Sequence, residues 1–162
     1  MLHNSELGGS RPCFSRTDNL AAPLTVFNTI SHLEIMYPGF RDWFFEKVAS
    51  APTERRVFIE ESNSRIIGVA IAKRMESERK LCTLWTDPIA RNSGVASKLA
   101  SRAFDWLQTS HPLFTVPQER MPEFRALLAQ WGFGAPRSMV GYYRENRTEY
   151  VFNGELRRKL CS

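Results

Sequence analysis

Cysteine and histidine are scarce in this 162-residue chain, with three of each. Cys13, Cys82 and Cys161 lie far apart and form no Cys-x-x-Cys pair, which excludes a disulfide framework and a dithiol redox motif. Cys82 reads as a small buried hydrophobe rather than a nucleophile. His3, His32 and His111 are scattered as widely, so no cluster offers tetrahedral ligation and no metal site is expected. Long apolar runs are missing too. The longest, Ile66 to Ala72, falls far short of the roughly 20 residues that cross a bilayer. The first twenty residues lack the apolar core of a secretory signal. The expectation is a cytoplasmic protein that does not engage membranes. There is no Gly-x-Ser-x-Gly elbow and no Walker-type loop. Gly132-Phe133-Gly134 runs straight into Pro136 with no helix pattern behind it, which discounts a dinucleotide loop.

What is present suits one domain: 43% hydrophobic and 24% charged residues are enough for a sizeable core. The net charge of +5 is spread thinly, and the one tight basic run is Arg157-Arg158-Lys159. Two readings stay open: a basic, solubilising surface, and an anionic partner such as RNA or a phosphorylated cofactor.

Residues 1–20 are rich in Ser, Gly, Asn and Arg without apolar periodicity, and read as a flexible leader before a single domain over 21–162. Leu24-Thr25-Val26-Phe27 suits a short strand. Residues 28–36 and 40–49 suit two short helices around the turn Tyr37-Pro38-Gly39. Strands are expected over Arg55–Glu61, Arg65–Lys73 and Leu81–Thr86, with Ser62-Asn63-Ser64 and the charged stretch Arg74–Lys80 as turns. Gly94–Gln108 is the clearest helix, His111–Val116 a buried strand, and 119–131 a helix ending at Gly132. The last strands fit 138–144 and 148–153. Hairpin strands followed by a β-α-β crossover predict an α/β fold: one mixed sheet with helices on both faces.

The chemistry concentrates in Leu84-Trp85-Thr86-Asp87-Pro88-Ile89-Ala90-Arg91-Asn92-Ser93-Gly94-Val95-Ala96. Here a strand ends, a short loop carries Arg91 and Gly94, and an amphipathic helix begins. The first N–H groups of a helix have no intrahelical partner, and its macrodipole is positive there. Small residues at Ser93, Gly94 and Ala96 let a ligand approach the backbone. A phosphate or pyrophosphate fits such a place; so does an ordinary strand-to-helix turn capped by Asn92 or Ser93.

Arg91-Asn92-Ser93-Gly94-Val95-Ala96 resembles the Arg/Gln-x-x-Gly-x-Gly/Ala signature of the GCN5-related N-acetyltransferases. The similarity extends over roughly residues 24–153, through an aliphatic strand and Asp-Pro before the motif to Gly132-Phe133 at the end of the later helix. It implies an acetyl-CoA site. Backbone along Leu84, Trp85 and Thr86 would pair with the pantetheine arm, and N–H groups across Arg91, Asn92, Ser93, Gly94, Val95 and Ala96 would hold the pyrophosphate. The strand and its neighbour would splay to seat the thioester, with the acceptor amine entering from the opposite side. Lys98 and Arg102 would reach a terminal phosphate or form a solvated helix face.

The departures concern catalysis. Leu128 stands where many members carry a Tyr that protonates the thiolate, and Gln118-Glu119-Arg120 where many carry an Asn. Leu81-Cys82-Thr83-Leu84 offers no mid-strand carboxylate. Tyr142, Tyr143 and Tyr150, and Glu60, Glu61, Glu76 and Glu78, are substitutes; Tyr143 is the choice for the acid, because strand alternation turns it opposite to Val140 and Tyr142. The implied function is acetyl transfer from acetyl-CoA to a primary amine by direct attack in a ternary complex. The acceptor could be a small molecule, a protein or aminoacyl-tRNA. The alternatives are toxin-like acetylation of aminoacyl-tRNA and a non-catalytic nucleic-acid-binding or scaffold module. A homodimer is left open.

Overall fold

Val26, Phe27, Ile30 and Leu33 are all buried, and their spacing decides the first element. A strand cannot bury adjacent residues on one face, whereas a helix places i, i+1, i+4 and i+7 together. The segment expected to be a strand is therefore a helix, α1 (Ala21–Ile30), extended by a 3₁₀ turn over Ser31–Ile35. The computed structural model describes residues 21–50 and 53–157, so the proposed leader, Cys13 and Cys161 lie outside the described residues. After the Tyr37-Pro38-Gly39 turn comes α2 (Phe40–Trp43), continued by a π-helical turn over Phe44–Val48. Phe40, Phe44 and Val48 are its buried stripe.

The strands are β1 (Arg55–Ser62), β2 (Arg65–Met75), β3 (Glu78–Thr86), β4 (Leu113–Pro117), β5 (Arg137–Val140) and β6 (Thr148–Phe152). They form one sheet in the order β1-β2-β3-β4-β6-β5. Only β3 and β4 run parallel, joined through α3 (Val95–Leu107); α4 (Met121–Gln130) follows β4. One face packs on α1 and α2 through Phe27, Ile30, Phe44, Val69 and Ile71. The other packs on α3 and α4 through Leu99, Leu107, Phe114, Phe124 and Leu128. At Gly68 on β2 an added Cβ would lie 2.6 Å from Val95 and 2.7 Å from Leu99. Only glycine lets the first turn of α3 come that close to the sheet.

Two turns differ from expectation. The Arg74–Lys80 stretch is strand apart from Glu76 and Ser77, because its charges find partners within the fold. Lys73 pairs with Glu78 at 2.8 Å. Arg74 and Arg79 donate to the Trp106 and Leu107 carbonyls, satisfying the C-terminal end of α3. At the other end of the chain, β5 stops at Val140, because Gly141 turns into the left-handed region (φ +76°) and donates to the Arg147 carbonyl. Tyr142 and Tyr143 therefore sit in a connection rather than on a strand, and the alternation used to choose between them does not operate.

Candidate active site

β3 carries one extra residue against β2. Ile71 is opposite Thr83 and Ala72 opposite Leu81, leaving Cys82 as a bulge. The bulge flips the alternation, so Leu81 and Leu84 both face α3 while Cys82 and Trp85 face α1. It lies where the pairing of β3 with β4 ends. The two pair only at Lys80–Leu113 and Leu81–Phe114. Beyond Leu81 the sheet opens, and among the described residues the edge of Cys82–Thr86 facing β4 has no strand partner. This is the splay that the resemblance implies.

On the α3 side the opening leads to a cavity of about 510 Å³. Leu84, Thr86, Arg91, Asn92, Gly94, Val95 and Ala96 all line it. Asp87 accepts from the Ile89 N–H and starts the loop, and Gly94 (φ +84°) ends it. Among the described residues no side chain caps α3, which leaves the N–H groups of its first turn to meet a ligand from the cavity. Arg91 reaches across to Glu123 at 3.5 Å. At Trp85 and Ser93 the expectation concerned the backbone, and their side chains are engaged elsewhere. The Trp85 side chain turns to the other face against His32 (5.8 Å between rings), leaving only its backbone at the opening. The Ser93 hydroxyl bonds to the Ala90 carbonyl. Lys98 and Arg102 both pair with Glu60 on β1, at 3.1 and 2.8 Å, and do not line the cavity. That contact also occupies Glu60.

On the α1 side lies a second cavity of about 340 Å³, walled by Tyr37, Phe40, Trp43, Tyr142 and Tyr143. Arg55, Lys73, Glu78 and Lys80 line it too. A void of about 20 Å³ at the splay, lined by Tyr37, Thr83, Leu84 and Arg120, shares residues with both cavities. Tyr143 meets Tyr37 edge-on at 5.0 Å and accepts a hydrogen bond from Lys80 at 3.1 Å. Tyr142 donates to the Arg157 carbonyl. Tyr150 packs against the α3–α4 core instead. Burial works against the Glu78 carboxylate, but the Lys73 ion pair and nearby Lys80 hold it below the usual range, so it stays charged. Burial likewise opposes the Lys80 charge, and Tyr143, Cys82 and Glu78 more than offset it.

The residue that sequence reasoning missed is Glu149 on β6. It is 1% exposed, and neither carboxylate oxygen has a hydrogen-bond partner among the described residues. It sits opposite Pro117, and its charge raises the Tyr37 hydroxyl further above the value that burial already imposes. Burial, helped by Glu119, pushes the Glu149 carboxyl up to about 7 against the pull of Arg144, Lys80 and Arg120. A signal was there: Glu149 shares strand parity with Val151, which is buried.

A profile of the acetyltransferase (GNAT) family matches residues 22–133. The chain belongs to that family. Solved structures carry the same fold. One is a protein assigned to the GNAT family from Desulfovibrio desulfuricans, 14% identical, TM-score 0.64, covering 83% of this chain and 92% of that one. Another is the ribosomal-protein-S18-alanine N-acetyltransferase of Escherichia coli, 16% identical, TM-score 0.62, covering 83% and 87%. A third is an aminoglycoside 6'-N-acetyltransferase in complex with coenzyme A, 10% identical, TM-score 0.61, covering 87% and 93%. No curated protein sequence matches the chain. As a member of the GNAT family it has an acetyltransferase architecture, and among the described residues no helix is long and apolar enough to cross a membrane.

Proposed function

We propose that the protein transfers an acetyl group from acetyl-CoA to a primary amine, in a ternary complex across the β3–β4 splay. The observation that carries this reading is the junction itself: an uncapped helix N-terminus with its cavity on one side, an aromatic cavity on the other, and unpaired strand edge between. The first-turn N–H groups of α3 and the loop from Arg91 would hold the pyrophosphate. The edge of Cys82–Thr86 would take the pantetheine amides, and its N–H groups would polarise the carbonyl. Bound acetyl-CoA supplies the activated acetyl thioester. The neutral amine attacks: an N–C bond forms, the C–S bond breaks, the ammonium centre created by the attack loses a proton and the thiolate gains one.

We assign the ammonium's proton to Glu149, whose charge acts on Tyr37 in the wall of the acceptor cavity. The thiolate's proton is assigned to the Tyr37–Tyr143 pair. Tyr143→Phe is expected to lower kcat about a hundredfold with acetyl-CoA binding unchanged, since a placed proton donor contributes 10²–10⁴-fold. A loss confined to Tyr37→Phe moves the role to Tyr37. Less than a threefold change in both variants leaves the proton to water.

Acetyl-CoA binds only the folded chain in this scheme, so it should raise thermal stability. At a hundred times Kd the gain should be about 2.7 kcal/mol. Thermal melting with added ligand, followed by amine-dependent thiol release, tests the reading. No shift at millimolar acetyl-CoA overturns it. The neighbours' named acceptors, an alanine of a ribosomal protein and aminoglycosides, support an amine as acceptor without choosing its class.

A further inference from the structure

Arg55, Lys73 and Lys80 stand opposite one another on three successive strands. Arg55 pairs with Lys73 between β1 and β2, and Lys73 with Lys80 between β2 and β3. Side chains paired this way share a face of the sheet about 4.5–5.5 Å apart, and like charges so placed repel. All three line the acceptor cavity, and Glu78 is the single carboxylate lining it with them. Glu78 is taken by Lys73 at 2.8 Å. Glu54 comes within 3.6 Å of Arg55 from a half-exposed position, while the Arg55 Nε is buried with no hydrogen-bond partner among the described residues. Lys80 donates to the Tyr143 hydroxyl, and among the described residues no carboxylate lies within ion-pair distance of it. The cavity therefore holds three cations against one anion, and its other walls are largely aromatic. A second cation entering it would be repelled; an oxyanion would relieve the row.

Resting on the acetyl-transfer reading of the same site, we propose that the acceptor is an amine that also carries an oxyanion, a carboxylate or a phosphate, bound by Arg55 and Lys80. Its amine lies at the splay. From Lys80 to the bulge at Cys82 and Thr83 is two or three strand residues, roughly 7–10 Å at the strand rise of about 3.3 Å per residue. Amine and oxyanion are separated by about that span in the acceptor. The adjacent α-amine and α-carboxylate of a free amino acid do not meet it; an ω-amino acid or an amino-sugar phosphate comes much closer.

Matched pairs test this: 5-aminovalerate against pentylamine, and glucosamine 6-phosphate against glucosamine. Each is assayed by acetyl-CoA thiol release and, without acetyl-CoA, by calorimetric binding. The anionic member of at least one pair is expected to be favoured about 10–100-fold in both readouts. The pair with the larger preference identifies carboxylate or phosphate. Lys80→Met and Arg55→Met should each shrink the preference to about threefold or less, and Lys80→Arg should restore it in part. Equal or better use of pentylamine and glucosamine overturns the proposal while leaving acetyl transfer intact. Lys80-dependent binding of the anionic member without thiol release supports the oxyanion site and counts against acetyl transfer. Absence of both binding and turnover for all four amines overturns the proposal, and the wild-type comparison stands even if a variant fails to fold.

Discussion

Glu149→Gln is expected to lower kcat at pH 7 by about 10²–10⁴-fold, the range for loss of a placed general base, while making the fold more stable at pH 8. Both effects come from one unpartnered carboxyl. Pushed up from 4.5 to about 7, it holds its proton more tightly in the folded chain than in the unfolded one between those values. Its contribution to stability is thus fully present below about pH 4.5 and lost as pH rises through about 7. Glutamine has no charge to desolvate, so the variant should gain on the order of 1–2 kcal/mol at pH 8 and nothing near pH 4. Burial sets the titration first, then Arg144, Glu119, Lys80 and Arg120, and neither oxygen has a hydrogen-bond partner among the described residues. In the wild type kcat should rise through about pH 7 as the carboxyl ionises, and the variant should lose that limb. Denaturant melts at pH 4 and 8, beside pH–rate profiles, make the measurement. A variant with full turnover and an unchanged profile returns Glu149 to a purely structural place.

Gly94→Asp is expected to weaken acetyl-CoA binding by at least about a hundredfold, or 2.7 kcal/mol, in a protein that still folds. Gly94 starts α3 at φ +84°, and nothing lies within 4 Å of where its Cβ would stand. A side chain there meets open cavity rather than protein. Two effects can then be separated. Any L-residue carries the strain of the left-handed conformation, about 1–3 kcal/mol. Aspartate adds a negative charge where the pyrophosphate would meet the helix N-terminus, opposing the ligand while favouring the dipole. Gly94→Ala carries the strain alone and should bind acetyl-CoA within about tenfold of wild type. Calorimetric titration of both variants, with melting curves as the folding control, tells them apart. Equal affinities for the Asp and Ala variants would place the nucleotide elsewhere.

The local elements were legible because each rests on short-range rules. The α3 stripe, the Tyr37-Pro38-Gly39 turn and the continuous apolar run of β2 depend on residues a few positions apart. The loop from Arg91 to Ala96 was legible for the same reason: glycine, small residues and a helix start are adjacent in the chain. Errors arose where local preference was overruled. Leu24–Phe27 has strand propensity, yet burial of both Val26 and Phe27 against the sheet requires a helix.

By itself the sequence determined a mixed α/β domain, the family and the place of the loop we propose for the pyrophosphate, since periodicity and motif are properties of neighbours along the chain. The tertiary structure alone decided the half of the site to which we assign catalysis. Register across β1, β2 and β3 aligned Arg55, Lys73 and Lys80, and placed the Cys82 bulge where the pairing of β3 with β4 ends. Packing sent Lys98 and Arg102 to Glu60, and left Glu149 buried, without a hydrogen-bond partner among the described residues, where its charge acts on Tyr37. Each of these joins residues up to 112 positions apart, the separation of Tyr37 and Glu149. Charge and pKa at such sites are set by what surrounds a group in space, and spacing along the chain carries no record of that.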